Sequence, residues 1–94
     1  MRILKRDGVE AEFDRKKIER AIEKANKSVT ANERLSEDVI KDIALKIEQD
    51  CSAAGTIPTV ESVQDKVIYA IMSAGAYVLA NNYIIYRYTH ALQR

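Results

Sequence analysis

Three capping residues set the organisation of this chain. Asp14, Ser36 and Thr59 each precede a segment in which apolar residues recur every three or four positions. Their side-chain oxygens can accept a hydrogen bond from a free N–H group of a first helical turn, and the apolar spacing gives each helix one buried face. We therefore predict three amphipathic helices, over residues 15–27, from after Ser36 to residue 53, and over residues 60–73.

A fourth helix is predicted over residues 76–92, after a break at Gly75. Apolar residues occupy nearly all sides of this segment, so we expect it to be the most buried of the four helices. The buried face of the second helix is predicted to contain Val39, Ile43, Ile47 and Cys51. The cysteine is accordingly interpreted as a small core residue rather than a reactive thiol.

A β-hairpin is predicted before the first helix. The dipeptide Asp7-Gly8, which favours the positive φ angles of a tight turn, lies between the short segments 2–6 and 9–13. The second segment alternates apolar and acidic residues, so one face of the hairpin is apolar and packs on the helices. Residues 56–58 must run extended because a proline ends them, and they could add a third strand.

The length and charge of the chain limit what it can be. Ninety-four residues suffice for one hydrophobic core, so residues 1–94 form one domain, mainly helical and of the α+β class. Fifteen Lys and Arg against fourteen Asp and Glu leave a net charge of +1, which argues against a DNA partner. No apolar run reaches the roughly 18 residues of a membrane span. We therefore expect a cytoplasmic protein without a membrane partner.

The sequence offers no pattern typical of an active site. One cysteine, Cys51, and one histidine, His90, cannot complete a structural zinc site. No serine or cysteine has a histidine at a spacing that indicates nucleophilic catalysis, and neither standard glycine-rich phosphate loop occurs. If the domain binds phosphate, cationic side chains must do so.

Two pairs of cations are the candidates for such binding. Lys5-Arg6 ends the first predicted strand, and Lys16-Lys17 begins the first predicted helix. Adjacent strand residues point to opposite faces, so one of Lys5 and Arg6 can approach a ligand under the hairpin while the other stays at its rim. A cation in a first helical turn opposes the helix dipole, and an anionic ligand would explain Lys17. The alternative is that all four are solvated and balanced by nearby carboxylates.

The fourth helix carries a second candidate cluster. Tyr83 and Arg87 lie one turn apart, with Tyr86 and Tyr88 beside them. An arginine next to an aromatic ring could recognise phosphate or help to stack a base. The alternative is a buried helix whose tyrosine hydroxyls reach the surface.

Four motifs in order resemble the ATP-cone family, a nucleotide-sensing regulatory domain found mostly at the N-terminus of ribonucleotide reductases. They cover essentially the whole chain at family-like spacing. The motifs are Ile3-Leu4-Lys5-Arg6-Asp7-Gly8; Phe13-Asp14 with Lys17-Ile18 and Ala21-Ile22; residues 58–67; and Tyr83-Ile84-Ile85-Tyr86-Arg87.

The resemblance implies a four-helix bundle capped by a small three-stranded β-sheet, with ATP or dATP bound between sheet and helices. It also implies a domain without catalytic residues, whose nucleotide controls the activity and oligomeric state of an attached ribonucleotide reductase. The implied partners are the adenine nucleotide, the reductase catalytic domain and neighbouring subunits. Mg²⁺ would accompany the triphosphate, held by its oxygens and by water.

The family's binding roles fall on nine residues of this chain. Ile3 and Ile18 would line the adenine slot, and Lys5 and Arg6 would meet the phosphates. Asp14 would accept a hydrogen bond from the base edge. The remaining nucleotide contacts would be Lys17, Thr59, Gln64 and Arg87.

The chain also departs from the family pattern. Ala11 stands where some members carry an acidic residue, and Tyr88 stands where members often carry a cation. A related DNA-binding repressor joins a cone to a zinc ribbon, which one cysteine excludes here. Residues 72–77 are slightly closer to the anaerobic class of reductase, and the class is left open.

Two other functions are compatible with the residues. One is a helical interaction module that docks a protein and binds no small molecule. The other is single-stranded nucleic-acid binding through Lys5, Arg6 and the tyrosines, which would need a continuous basic groove that the +1 charge opposes.

Overall fold

The computed structural model describes the backbone of residues 1–93 and the side chains of residues 1–89. Two strands precede four α-helices, with a short 3-10 helix, Ala31–Glu33, between the first and second helices. The elements are β1 (Arg2–Leu4), β2 (Glu10–Glu12), α1 (Arg15–Asn26), α2 (Glu37–Ala53), α3 (Val60–Ser73) and α4 (Tyr77–Gln93). The α+β class and the four helices are as predicted.

The hairpin turns through residues 6–8, between Lys5 and Val9. β1 and β2 pair antiparallel with Ile3 opposite Ala11. The Gly8 N–H donates to the Lys5 carbonyl at 2.9 Å, and the Lys5 N–H donates to the Val9 carbonyl at 2.9 Å. Gly8 has a φ of +85°, which only glycine adopts without strain. The expectation of positive φ across Asp7-Gly8 is therefore right at the glycine alone.

The prediction of a third strand is corrected. Leu4 forms one isolated parallel bridge to Thr59, in which the Leu4 N–H donates to the Pro58 carbonyl at 2.9 Å. Pro58 has no N–H to donate, and the chain enters α3 at Val60. The sheet therefore has two strands in the part of the chain that the structure describes.

The three predicted N-caps are confirmed. The Asp14 carboxylate accepts from the Lys16 N–H at 3.0 Å. The hydroxyl oxygen of Ser36 accepts from the Val39 N–H at 3.3 Å, and that of Thr59 accepts from the Ser62 N–H at 3.1 Å. Each bond satisfies a backbone donor that the helix itself leaves free.

The core lies where the helices meet. Helix α1 contacts α2 and α4, and α3 contacts α2 and α4, so each helix touches two others. A four-helix bundle also requires nearly antiparallel axes, and that classification stays a prediction. The largest fully buried side chains are Ile22, Val67, Ile71 and Leu79. Cys51 is also buried, as predicted, and burial raises the pKa of its thiol.

Two expectations about burial are wrong. In α2 the buried residues are Ile40, Ala44, Ile47 and Cys51, whereas Val39 is exposed and Ile43 is partly buried. Over its described side chains, residues 77–89, α4 is not the most buried helix, because Leu79, Ala80 and Tyr83 are buried there and most of the others are exposed. Its exposed apolar residues are Tyr77, Val78, Ile84, Ile85 and Tyr88. None of the described helices has the length and apolar character needed to cross a bilayer.

Tyr83 is the tyrosine on the buried side of α4. Its side chain is 4% exposed. Burial is the main cause that raises the pKa of its phenol to about 12; Arg87 lowers this pKa by a smaller amount, and Tyr86 raises it slightly. The hydroxyl is therefore a neutral O–H group over the physiological pH range.

We predict that Ile71→Ala lowers the free energy of unfolding by about 2–5 kcal/mol, because the removed atoms leave a cavity in a packed core. Ile85→Ala is the matched control: this isoleucine is 56% exposed, whereas Ile71 is 0% exposed. The control should cost less than about 0.5 kcal/mol. Urea unfolding followed by circular dichroism measures both, and equal losses would contradict the assignment of the core.

We also predict that stability falls at high pH because of Tyr83. Its folded-state pKa of about 12 lies above the ordinary 10.0. The unfolded chain therefore ionises first, and the stabilisation present below pH 10 is lost as pH rises through the folded-state pKa. Relative to Tyr83→Phe, the wild type should lose about 2–3 kcal/mol over this interval. Curves of unfolding free energy against pH that run parallel for the two proteins would contradict the prediction.

Candidate functional site

A cavity of about 180 Å³ lies between the hairpin and the helices. Among the described side chains, its walls come from both strands and the residues next to them, from the N-terminal halves of α1 and α3, and from one residue of α4. The lining residues are Ile3, Lys5, Ala11, Glu12, Phe13, Asp14, Lys17, Ile18, Ala21, Val60, Val63, Gln64, Val67 and Tyr83.

Chain connectivity explains why these elements converge. Helix α1 begins directly after the second strand, and α3 begins at the residue that bridges to Leu4. Both helices therefore start beneath the hairpin. Ile3 and Ala11 are paired across the sheet, so they lie on the same face, and that face lines the cavity.

Positions along the helices give the cavity a mouth and a floor. Asp14 and Lys17 lie at the start of α1, next to the hairpin, whereas Ala21 lies further along the helix. Seven residues separate Asp14 from Ala21, a rise of about 10 Å. On α3, Val67 is likewise further from the hairpin than Val60. Lys5, Asp14 and Lys17 thus lie at the hairpin end of the cavity, here called its mouth, and the apolar Ala21 and Val67 lie at the other end, here called its floor.

The structure brings six of the nine predicted site residues to this cavity. They are Ile3, Lys5, Asp14, Lys17, Ile18 and Gln64. Lys5 lines the cavity and Arg6, which lies in the turn after β1 rather than on the strand as predicted, does not. The binding roles assigned to these residues stay predictions.

Arg6 and Arg87 lie beside carboxylates of α3. Arg6 Nε is 3.2 Å from Glu61 Oε1, and Arg87 Nη1 is 2.7 Å from Asp65 Oδ1. Glu61 and Asp65 are one turn apart and so share a face of α3. A hydrogen bond from its own backbone N–H lowers the pKa of Glu61, and Arg6 lowers it further. Both arginines are therefore placed along one side of α3.

Two helix-capping residues, Asp14 and Thr59, were predicted to bind the ligand, and they differ in their access to the cavity. Asp14 lines the cavity, and its cap uses one carboxylate oxygen. A carboxylate has about four acceptor sites, so capping leaves capacity for another donor. Thr59 lies outside the lining, although its hydroxyl, which accepts from Ser62, can still donate.

Several lining residues were not among the predicted ones. Val60, Val63 and Val67 follow a helical spacing that indicated core packing alone, and a spacing cannot tell a filled core from an apolar wall. Tyr83 was considered together with Arg87; the two remain neighbours on α4, where Arg87 lowers the pKa of the Tyr83 phenol, but of the two only Tyr83 lines the cavity. Tyr83 reaches the cavity and Arg87 pairs with Asp65.

A second hollow offers a poorer site for an anionic ligand. It measures about 310 Å³ and lies at the turn between α3 and α4, against residues 32–35. Its one cation is Arg34, whose Nε already donates to the Val29 carbonyl. Among the described residues no group of three or more His, Cys, Asp or Glu could hold a metal ion. His90 lies outside the described side chains.

Comparison with known proteins bears on the whole chain. The family described as ATP cone domain matches residues 1–92. Similar curated proteins are the ribonucleoside-diphosphate reductase alpha subunits of Chlamydia muridarum (31% identical), Chlamydia pneumoniae (37%) and Chlamydia trachomatis (29%). Each comparison covers 98% of this chain and 9 or 10% of the relative, so the chain spans about a tenth of these relatives. Since the family match runs from the hairpin to the end of α4, this chain belongs to the ATP-cone family.

Proposed function

We propose that this domain binds ATP or dATP in the cavity beneath its hairpin and thereby regulates a ribonucleotide reductase. The observation that carries the proposal is a largely apolar cavity whose mouth holds two lysines, Lys5 and Lys17, in a chain of the ATP-cone family. Apolar walls suit a base, and cations at the mouth suit phosphates.

The dimensions favour a nucleotide that enters base first. Pockets that enclose a drug-sized ligand measure roughly 300–1,000 Å³, and about 180 Å³ encloses only part of one. Ile3 and Ile18 would contact the faces of the base. Asp14, at the mouth, would accept a hydrogen bond from the exocyclic amino group of adenine. The sugar and phosphates would then lie outside the enclosed volume.

The phosphates would meet cations from two elements. Lys5 comes from the hairpin, and Lys17 comes from the first turn of α1, where the helix dipole also favours an anion. Arg6 can join them, because its ion pair with Glu61 is exposed and such pairs contribute only about 0–1 kcal/mol. Arg87 would supply a further cation after leaving Asp65.

Residues at the start of α3 would contact the sugar. Gln64 lines the cavity, and the Thr59 hydroxyl is one turn away at the helix cap. Contacts to the sugar are the ones that can distinguish ATP from dATP, since the two differ by one hydroxyl. Mg²⁺ would be held by phosphate oxygens and water, as it usually is with nucleotides.

The regulatory part of the proposal draws on the relatives, whose names give them as ribonucleoside-diphosphate reductase alpha subunits. The domain would carry no catalytic residue of the reductase and would serve deoxyribonucleotide biosynthesis as an allosteric unit. ATP and dATP would favour different states of activity and oligomeric assembly, through contacts with the catalytic domain and neighbouring subunits. The likeness of residues 72–77 to the anaerobic class stays a prediction.

We predict that Lys5→Ala combined with Arg6→Ala weakens ATP binding at least about tenfold, because each lost charge-assisted contact costs roughly 1.5–3 kcal/mol. Isothermal titration calorimetry with ATP, dATP, GTP and a short single-stranded oligonucleotide makes the measurement. Lys46→Ala, an exposed change on α2, is the control and should leave affinity unchanged. Undiminished ATP affinity in the double variant would contradict the phosphate assignment, and absence of wild-type nucleotide binding would favour the interaction-module alternative.

We further predict that Lys17→Ala weakens ATP binding without lowering the melting temperature of the ligand-free domain. A cation in a first helical turn is unfavourable until an anion neutralises it. Lys16→Ala is a matched control, because Lys16 lies in the same turn but does not line the cavity. A lower melting temperature with unchanged affinity would show that Lys17 has a structural role instead.

A further inference from the structure

We propose that the Tyr83 hydroxyl is the polar contact for the inner edge of the bound base, and that it donates a hydrogen bond to a ring nitrogen there. The proposal rests on the nucleotide function proposed above and adds a specificity-determining residue to it.

The position of Tyr83 in the cavity determines which part of a bound ligand this residue can contact. The cavity is lined by α1 from Asp14 at its mouth to Ala21, and by α3 from Val60 to Val67. Among the side chains of residues 1–89, Tyr83 is the lining residue that α4 contributes, and it is only 4% exposed. Arg87, one turn further along α4, pairs with Asp65 of α3, so Tyr83 lies further from the start of α3 than that pair does, whereas Lys5 and Lys17 lie at the hairpin end of the cavity. A nucleotide whose phosphates meet those lysines would direct its base toward Tyr83.

The hydroxyl is available to a ligand. Among side chains 1–89, no hydrogen bond involves the Tyr83 hydroxyl, and no buried side-chain nitrogen or oxygen lacks a partner. An oxygen that has no partner and yet is not sealed in the core must border open space. Tyr83 lines the cavity, so the cavity is the open space that we assign to its hydroxyl.

The surroundings make this donor selective. Ala21, Val63 and Val67 are apolar and offer no side-chain acceptor at the floor. Water can solvate the hydroxyl in the empty cavity, whereas a ligand displaces that water. A ligand without an acceptor at this place would leave the O–H unsatisfied, and sites that hydrogen-bond a ligand strongly disfavour analogues that lack the partner atom.

Adenine carries suitable acceptors on its ring. Its N1, N3 and N7 atoms each present a lone pair, and replacement of one of them by C–H removes the acceptor with little change in shape. Because the phenol keeps its proton over the physiological range, it donates at any pH at which the domain is assayed. The base nitrogen that faces the floor can therefore be identified by changing the ligand, without altering the protein.

The test combines one protein change with three ligand changes. Binding of ATP, 1-deaza-ATP, 3-deaza-ATP and 7-deaza-ATP is measured by calorimetry on the wild type, on Tyr83→Phe and on Tyr77→Phe. The last is the matched control, because Tyr77 lies on the same helix and is 69% exposed. Tyr83→Phe should weaken ATP binding by about tenfold, the effect of one lost buried hydrogen bond, and Tyr77→Phe should not.

The deaza series separates a hydrogen bond from a packing effect. One analogue should bind the wild type about tenfold less tightly than ATP does, and Tyr83→Phe should bind that analogue and ATP equally. Unchanged ATP affinity in Tyr83→Phe would overturn the proposal. So would losses of binding free energy from the protein change and from the ligand change that are additive for all three analogues. Both of these outcomes leave the nucleotide function standing. No ATP binding by the wild type would instead overturn the proposed function itself.

Discussion

The connection between the hairpin and the start of α3 is the constraint on which the site depends. A single bridge joins Leu4 to Thr59, the residue that also caps α3. Together with the direct passage from β2 into α1, it holds the sheet over the first turns of two helices. A hairpin of this length is marginal by itself in water. Its packing over the helix starts both stabilises it and leaves the enclosed space below it.

The charges near this space are arranged so that a nearly neutral domain can offer a cationic mouth. Lys5 and Lys17 line the cavity, while Arg6 and Arg87 are neutralised by carboxylates of α3. Exposed ion pairs of this kind exchange partners at little cost. The ligand-free domain thereby avoids strong self-repulsion, and a net charge of +1 does not argue against anion binding at one place.

The sequence was informative wherever structure depends on neighbours along the chain. The caps at Asp14, Ser36 and Thr59 and the glycine of the hairpin act within one turn, and they were predictable. Burial of a helix depends on which other helices cover it. For that reason the buried face of α2 is centred on Ile40 and Ala44, and much of α4 is exposed. The inward placement of Tyr83 likewise required the packing of α4 on α1 and α3.

The same helix that forms the floor of the cavity also faces outward. Tyr83 points to the ligand space, whereas Ile85 and Tyr88, within two turns of it, are exposed on the other side of α4. A helix is stiff over so short a distance, so the two sides cannot move independently. Any displacement of the floor by an occupant is carried as a rigid tilt or translation to the outer apolar surface. The floor of the cavity and the outer apolar surface of α4 therefore move together.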